Sequence, residues 1–315
     1  MNKISQILCV IDPTTDDQPA MQRAAWVAGN TGAELELFIC YYNEYLSGDR
    51  LFDSQSLRDT RQEVLDGYEK HLESLAQPLR ESGLTVRTRT VWDHPLYEGI
   101  VRHAAALNAD LVFKDTHHHS AISRALLTNT DWSLIRACAS PLWLVKAGER
   151  PVKPVILAAI DPMNEHDKPA ALDDEILMLS KMLAEASHAE LHAFHSYDPR
   201  VAISTATANA YIPVSLPFDE IEKQMRQQHA KRFNEITKYH EIDADHAHLV
   251  SGFTHEELPA LAKDLDALVV VMGAVARNPL KRLFIGSTAE RTLGHIPCDM
   301  LIVKPAWFHA AVDSA

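Results

Sequence analysis

The chain repeats itself, and that repeat limits its architecture more than any other feature. QILCVIDP at residues 6–13 returns as VILAAIDP at 155–162, and AELELFICY at 33–41 returns as AELHAFHSY at 189–197. LVFKDTHHH at 111–119 matches VVVMGAVAR at 269–277 in position, and SPLWLVK at 140–146 matches CDMLIVK at 298–304. The offset between matching positions grows from 149 residues at Asp12 and Asp161 to 158 at Lys146 and Lys304, mostly within PMNEHDKPAALDDE. Several matches in one order, with only small insertions, indicate a duplicated domain. A polar stretch containing Pro and Gly, AGERPVKP at 147–154, marks the junction. The expected domains are residues 1–147 and 153–315.

Each half alternates short apolar runs with amphipathic segments. In the first half the runs are QILCVI, LELFICY, TVRTRTVW, DLVFK and PLWLVK. Between them lie segments with apolar residues three and four apart, the spacing of one helix face. Gly32 and Gly83 sit where two of these helices would stop. Nearly continuous apolar strands with helices between them imply a parallel sheet covered on both faces. The expected fold is α/β: two tandem, doubly wound, parallel five-stranded sheets, with ligands at the carboxyl ends of the strands.

A chain of 315 residues suits two such domains. Hydrophobic residues at 46% and charged residues at 23% give a globular balance. The net charge of −13 argues against a nucleic acid polymer as partner, and against docking on an anionic membrane surface. A single nucleotide is not excluded, because it needs only local N–H groups. The opening MNKISQILCVIDP has too short an apolar run for a secretory signal, and no stretch reaches the ~18 apolar residues of a membrane span. Cys9, Cys40, Cys138 and Cys298 are scattered, without a CxxC pair, which suggests reduced thiols and a cytoplasmic location.

The second half holds the motif with chemistry in it. DALVVVMG ends at Gly273, and after it comes GAVARNPLKRLFIGSTAERTLGH. Glycine lets a backbone approach a ligand, and a helix N-terminus presents free N–H groups to an anion. Gly286, Ser287 and Thr288 open the next helix, where hydroxyls and N–H groups face outward. Arg277, Lys281 and Arg282 add local positive charge. Ser287 as an ordinary helix cap is the simpler alternative.

On these residues the chain resembles the universal stress protein family, in its tandem two-domain form. Nucleotide-binding members carry Gly, two residues, Gly, nine residues, then Gly-Ser or Gly-Thr. Here the pattern stands as Gly273, two residues, Ala276, nine residues from Arg277, then Gly286-Ser287. Ala276 replaces the middle glycine, which is tolerable at negative φ and costly at positive φ. The resemblance implies a Rossmann-like fold of the adenine nucleotide alpha hydrolase kind, with ATP or a related nucleotide as ligand. It maps Asp161 to the adenine-ribose side and Ser196 beside the base. It also implies that the two domains pair within one chain, as monomer or dimer. In the first half the matching positions are Asp115, His118, Thr128 and Asn129. All the glycines are gone and a carboxylate stands where a phosphate would lie, so this copy is expected not to bind ATP.

Two histidine pairs raise the question of a metal. His117 and His119 alternate after Asp115, and His246 and His248 share one face of the expected strand in DADHAHLV. Neither pair brings three or four ligands by itself, so solvated histidines are the simpler reading and a zinc site assembled between segments the alternative. The segment YDPRVAISTATANAYIPVSLPFDE (197–220) is weakly charged and rich in small apolar residues, as a lid or a packed loop would be. If it is a lid, an apolar or lipid-like ligand becomes an alternative to the nucleotide. Asp93-His94 and His255-Glu256 read as helix starts. No catalytic set stands out, and a weak ATPase is the only enzymatic alternative, with no acidic residue evidently placed to hold its metal.

Overall fold

In a computed structural model of the protein, the described residues are 3–48, 54–116, 127–148, 150–163, 171–200, 217–274 and 291–309. The first repeat contributes β1 (Gln6–Val10), α1 (Pro19–Thr31), β2 (Glu34–Tyr41), α2 (Gln55–Glu81), β3 (Val86–Trp92), α3 (Leu96–Leu107), β4 (Leu111–Asp115), α4 (Asn129–Ala137) and β5 (Leu142–Val145). The second contributes β6 (Val155–Ala159), α5 (Ala171–Ser187), β7 (Glu190–Tyr197), α6 (Phe218–Tyr239), β8 (Ala247–Ser251), α7 (Thr254–Asp264), β9 (Val269–Gly273) and β10 (Asp299–Val303).

The chain divides into two compact units, one of residues 1–149 with 299–315 and one of residues 150–298. In the first unit the strands run β3-β2-β1-β4-β5-β10. All pairs there are parallel except β10 with β5, where Met300 lies opposite Leu144 and Ile302 opposite Leu142. In the second unit the order is β9-β6-β7-β8, all parallel. The α/β fold with a mostly parallel sheet is as the sequence implies. One feature departs from five strands per sheet: β10, the last strand of the second repeat, belongs to the first unit. A buried polar knot accounts for its place there. Asp299 accepts from Arg23 Nε at 2.8 Å, from Trp143 Nε1 at 3.0 Å and from the Lys146 backbone N–H at 3.0 Å.

The elements follow from their residues. β1, β5 and β6 are apolar almost throughout, as is β4 up to Phe113, and these strands bury nearly every side chain because helices cover both faces. Trp143, Phe38 and Phe113 are fully enclosed in the first unit, and Phe194 and Phe233 in the second. Pro19 starts α1, where its missing N–H costs nothing, and Gly32 ends it at φ 70°, donating to the Ala28 carbonyl. Gly83, at φ 97°, follows the end of α2. All four cysteines are free thiols, two buried and two half-buried. Among the described residues no helix is long and apolar enough to cross a membrane.

Candidate functional site

In the second unit three strand ends meet at one level. β6 pairs with β7 through Ala159 and Phe194, and with β9 through Ala159 and Met272. The same registers carried forward set Asp161, two residues past the end of β6, beside Ser196 near the end of β7 and beside Ala274, which directly follows the end of β9 at Gly273, all along the carboxyl-end edge of neighbouring parallel strands. In a doubly wound sheet this edge is where ligands bind.

Local bonds hold each of these residues. The Asp161 N–H donates to Asp173 Oδ1 at 3.0 Å, and Asp173, buried in the first turn of α5, so ties the chain just past β6 to the helix start. Ser196 Oγ lies 2.7 Å from Thr254 Oγ1 at the first residue of α7. Gly273 is confined by packing: an added Cβ would stand 2.7 Å from Leu172 Cδ2 and 3.3 Å from Ile176 Cδ1. Its lack of a side chain therefore lets α5 close on β9. Asp173 and Thr254 escaped the sequence reading, since nothing in their spacing marks them. Ala276, Arg277, Gly286, Ser287 and Thr288 lie outside the described residues, as do His117, His119 and residues 201–216 of the apolar segment.

In the first unit the corresponding edge is filled by the chain itself. Asp115, at the end of β4, is 7% exposed, and its Oδ1 accepts the Ala20 N–H at 2.7 Å in the first turn of α1. Burial pushes its carboxyl up to about 7, against the pull of the Ala20 N–H and Lys114 and with a further push from Asp17 and Asp12. Asp12 is held by Thr14, whose N–H and hydroxyl donate to Oδ1 at 2.8 and 2.6 Å. Thr128 and Asp131 close the start of α4 as a capping box, and Asp131 pairs with Lys114 at 2.8 Å. Thus the two helix starts at this edge are bonded to carboxylates and a hydroxyl of the protein.

A second cluster lies at the opposite, amino ends of β7 and β8. Carried back from Ala193 and Ala247, the register sets His192 beside His246, which ends a single 3-10 turn before β8. The two rings stack at 4.2 Å, and His192 Nδ1 lies 2.9 Å from His248 Nε2. Glu190 Oε2 approaches His192 Nε2 at 3.6 Å. Burial lowers the His192 and His248 pKa values, and neighbouring imidazoles lower them further; Glu190 pulls the His192 value back up. The structure thus brings His246 and His248 to two residues the sequence reading missed, Glu190 and His192. Their alternation along AELHAF was a usable signal only once the strand register was known.

The universal stress protein family model matches residues 3–146 and again 155–304. This chain belongs to the universal stress protein family. The two matches cover nearly the whole chain, as expected of a tandem member. Universal stress protein E of Salmonella typhi is 31% identical over 99% of this chain and 98% of its own. The protein of the same name from Escherichia coli (strain K12) is 29% identical over the same shares. Among solved structures, a candidate universal stress protein from Pseudomonas aeruginosa UCBPP-PA14 superposes with a TM-score of 0.73 at 26% identity, over 96% of this chain and 94% of that one. A universal stress protein of Archaeoglobus fulgidus DSM 4304 shares the fold at a TM-score of 0.64 and 16% identity, over 95% and 98%.

Proposed function

We propose that this member of the family is a cytoplasmic stress-response protein that binds ATP or a related nucleotide in its C-terminal domain, residues 153–315. It acts through binding rather than turnover. The observation that carries this reading is the alignment of Asp161 and Ser196 with the end of β9, at Gly273 and Ala274, along one strand-end edge of the second unit. In the sequence that edge runs directly into the loop from Ala276 and Arg277 to Gly286, Ser287 and Thr288. Asp161 would orient the nucleoside, and N–H groups near Gly273 and Gly286-Ser287 would take the phosphates. The N-terminal domain, residues 1–147, would not bind the nucleotide, because Asp115 engages the α1 start and the Thr128–Asp131 box engages the α4 start. Intramolecular pairing of the domains makes a monomer the simplest assembly.

Mass spectrometry of small molecules that co-purify with the native protein, combined with a thermal-shift titration, tests the proposal. ATP at a hundredfold over its Kd should add about 2.7 kcal/mol of stability. Gly286→Val should abolish that shift, while Asp115→Asn should leave it in place. If no nucleotide co-purifies and millimolar ATP leaves the Tm unmoved, the reading is wrong; recovery of an amphiphile instead would direct attention to residues 197–220.

A further inference from the structure

We infer that Glu190, His192 and His246 form a site for a divalent transition metal of the zinc class, with His248 orienting the ligand His192. The site lies at the amino ends of β7 and β8, on the opposite edge from Asp161 and Ser196, and stands independently of nucleotide binding.

The donor set is two imidazoles and one carboxylate, whose ligand atoms all lie within 4.8 Å of one another. Zinc takes such ligands at about 2.0–2.2 Å, which puts two ligand atoms of a tetrahedron about 3.4 Å apart. Glu190 Oε2 and His192 Nε2 are at 3.6 Å, close to that separation. Glu190 is exposed and His246 half-buried, so rotations of these two side chains can close the remaining distance around the fixed ring of His192.

His192 supplies the independent sign of a ligand. The residue is 5% exposed, yet its Nε2 has no hydrogen-bond partner among the described residues. A buried polar atom left without a partner is uncommon, because it forfeits water without replacement. This atom is also the one turned toward Glu190. The other ring nitrogen, Nδ1, is held 2.9 Å from His248 Nε2. If Nδ1 carries the proton and donates to His248, Nε2 is left as a lone pair aimed at the cluster. A metal-binding histidine is commonly fixed in this way, by a hydrogen bond from its second nitrogen.

The surroundings suit a cation. A cleft of about 420 Å³ adjoins the cluster, and Glu185, Glu190, Glu241, Asp243 and His246 are among its lining residues. The one ammonium there, on Lys181, is paired with Glu241. Three protein ligands leave a fourth position for water or a ligand entering from the cleft. Copper(II) would bind such donors more tightly than zinc in a test tube, so zinc is the more conservative probe.

The full-length protein, stripped with a chelator, should be titrated with Zn²⁺ against a chromophoric competitor, with Tm followed in parallel. Wild type should take up one equivalent of Zn²⁺ in a tight step that raises its Tm. His246→Ala and Glu190→Gln alter accessible side chains, so both variants should fold with the metal-free Tm of wild type. Each should weaken the tight step at least tenfold. His248→Phe should weaken it less than His246→Ala, because it removes the orienting bond and leaves the ligands. If the Glu190→Gln/His246→Ala double variant binds zinc as wild type does, or if wild type shows no tight step, the inference is overturned.

Discussion

Asp115 shows how one side chain can close a ligand position. Its counterpart in the second repeat is Gly273, which has no side chain to occupy the strand end. Asp115 instead places a carboxylate against the first turn of α1 and accepts the Ala20 N–H. The cost is burial of a charge: Oδ2 has no partner among the described residues, and the carboxyl rises from 3.8 to about 7. A folded-state pKa above the unfolded value disfavours the ionised form, so the penalty is complete above pH 7 and is relieved as pH falls from 7 toward 3.8. Asp115→Asn keeps an oxygen for the Ala20 N–H and removes the charge. We expect it to stabilise the protein by about 2–4 kcal/mol above pH 8, with the gain shrinking steadily toward pH 4. Denaturant unfolding at pH 8.5 and 4.5 measures this, and an equal gain at both would mean that the buried charge is not responsible. The substitution of carboxylate for glycine was legible in the sequence, because the repeat supplied the alignment. The bond to Ala20 was not, since it joins residues 95 positions apart.

Among the elements, the contact of β9 with α5 gives Gly273 a packing reason to be glycine, beside the one its residue type suggests. Glycine at a strand end is compatible with a close ligand, and the motif makes that reading natural. Leu172 and Ile176, however, already occupy the space that a Cβ on Gly273 would need. Packing alone therefore requires glycine here, whatever else the edge binds. Gly273→Ala should cost about 1–3 kcal/mol through overpacking. In a Leu172→Ala background, where the nearest atoms are gone, most of that cost should vanish. A double-mutant cycle by urea unfolding reads the coupling, and an unchanged cost in the second background would refute the steric account. The elements themselves were legible: apolar runs became strands, three-and-four spacing became helices, and Gly32 and Gly83 ended two of them. Partnership between elements was not. Glu190 and His192 belong to one short run and His246 and His248 to another, and only the pairing of β7 with β8 makes them a cluster.

For the whole molecule, sequence repeat and packing divide the chain at different places. The family matches run over 3–146 and 155–304, while the compact units are 1–149 with 299–315 and 150–298. The discrepancy is β10. Its apolar pattern says strand, but an apolar pattern does not say which sheet. What ties it to the first unit is Asp299, 2% exposed, which bonds Arg23 of α1, the Trp143 indole and the Lys146 N–H. Arg23 is itself buried, so removing its partner would strand a guanidinium out of water. Breaking a buried ion pair from one side typically costs about 3–5 kcal/mol, far more than the pair adds over an apolar substitute. Asp299→Ala should therefore destabilise by about that amount, although the residue belongs to the second repeat. The loss should be localised: hydrogen exchange should show protection falling in β1, β4, β5 and α1 well before β6, β7 and β9. A loss centred on β6, β7 and β9 would instead assign the last strand, in energy as in sequence, to the second domain.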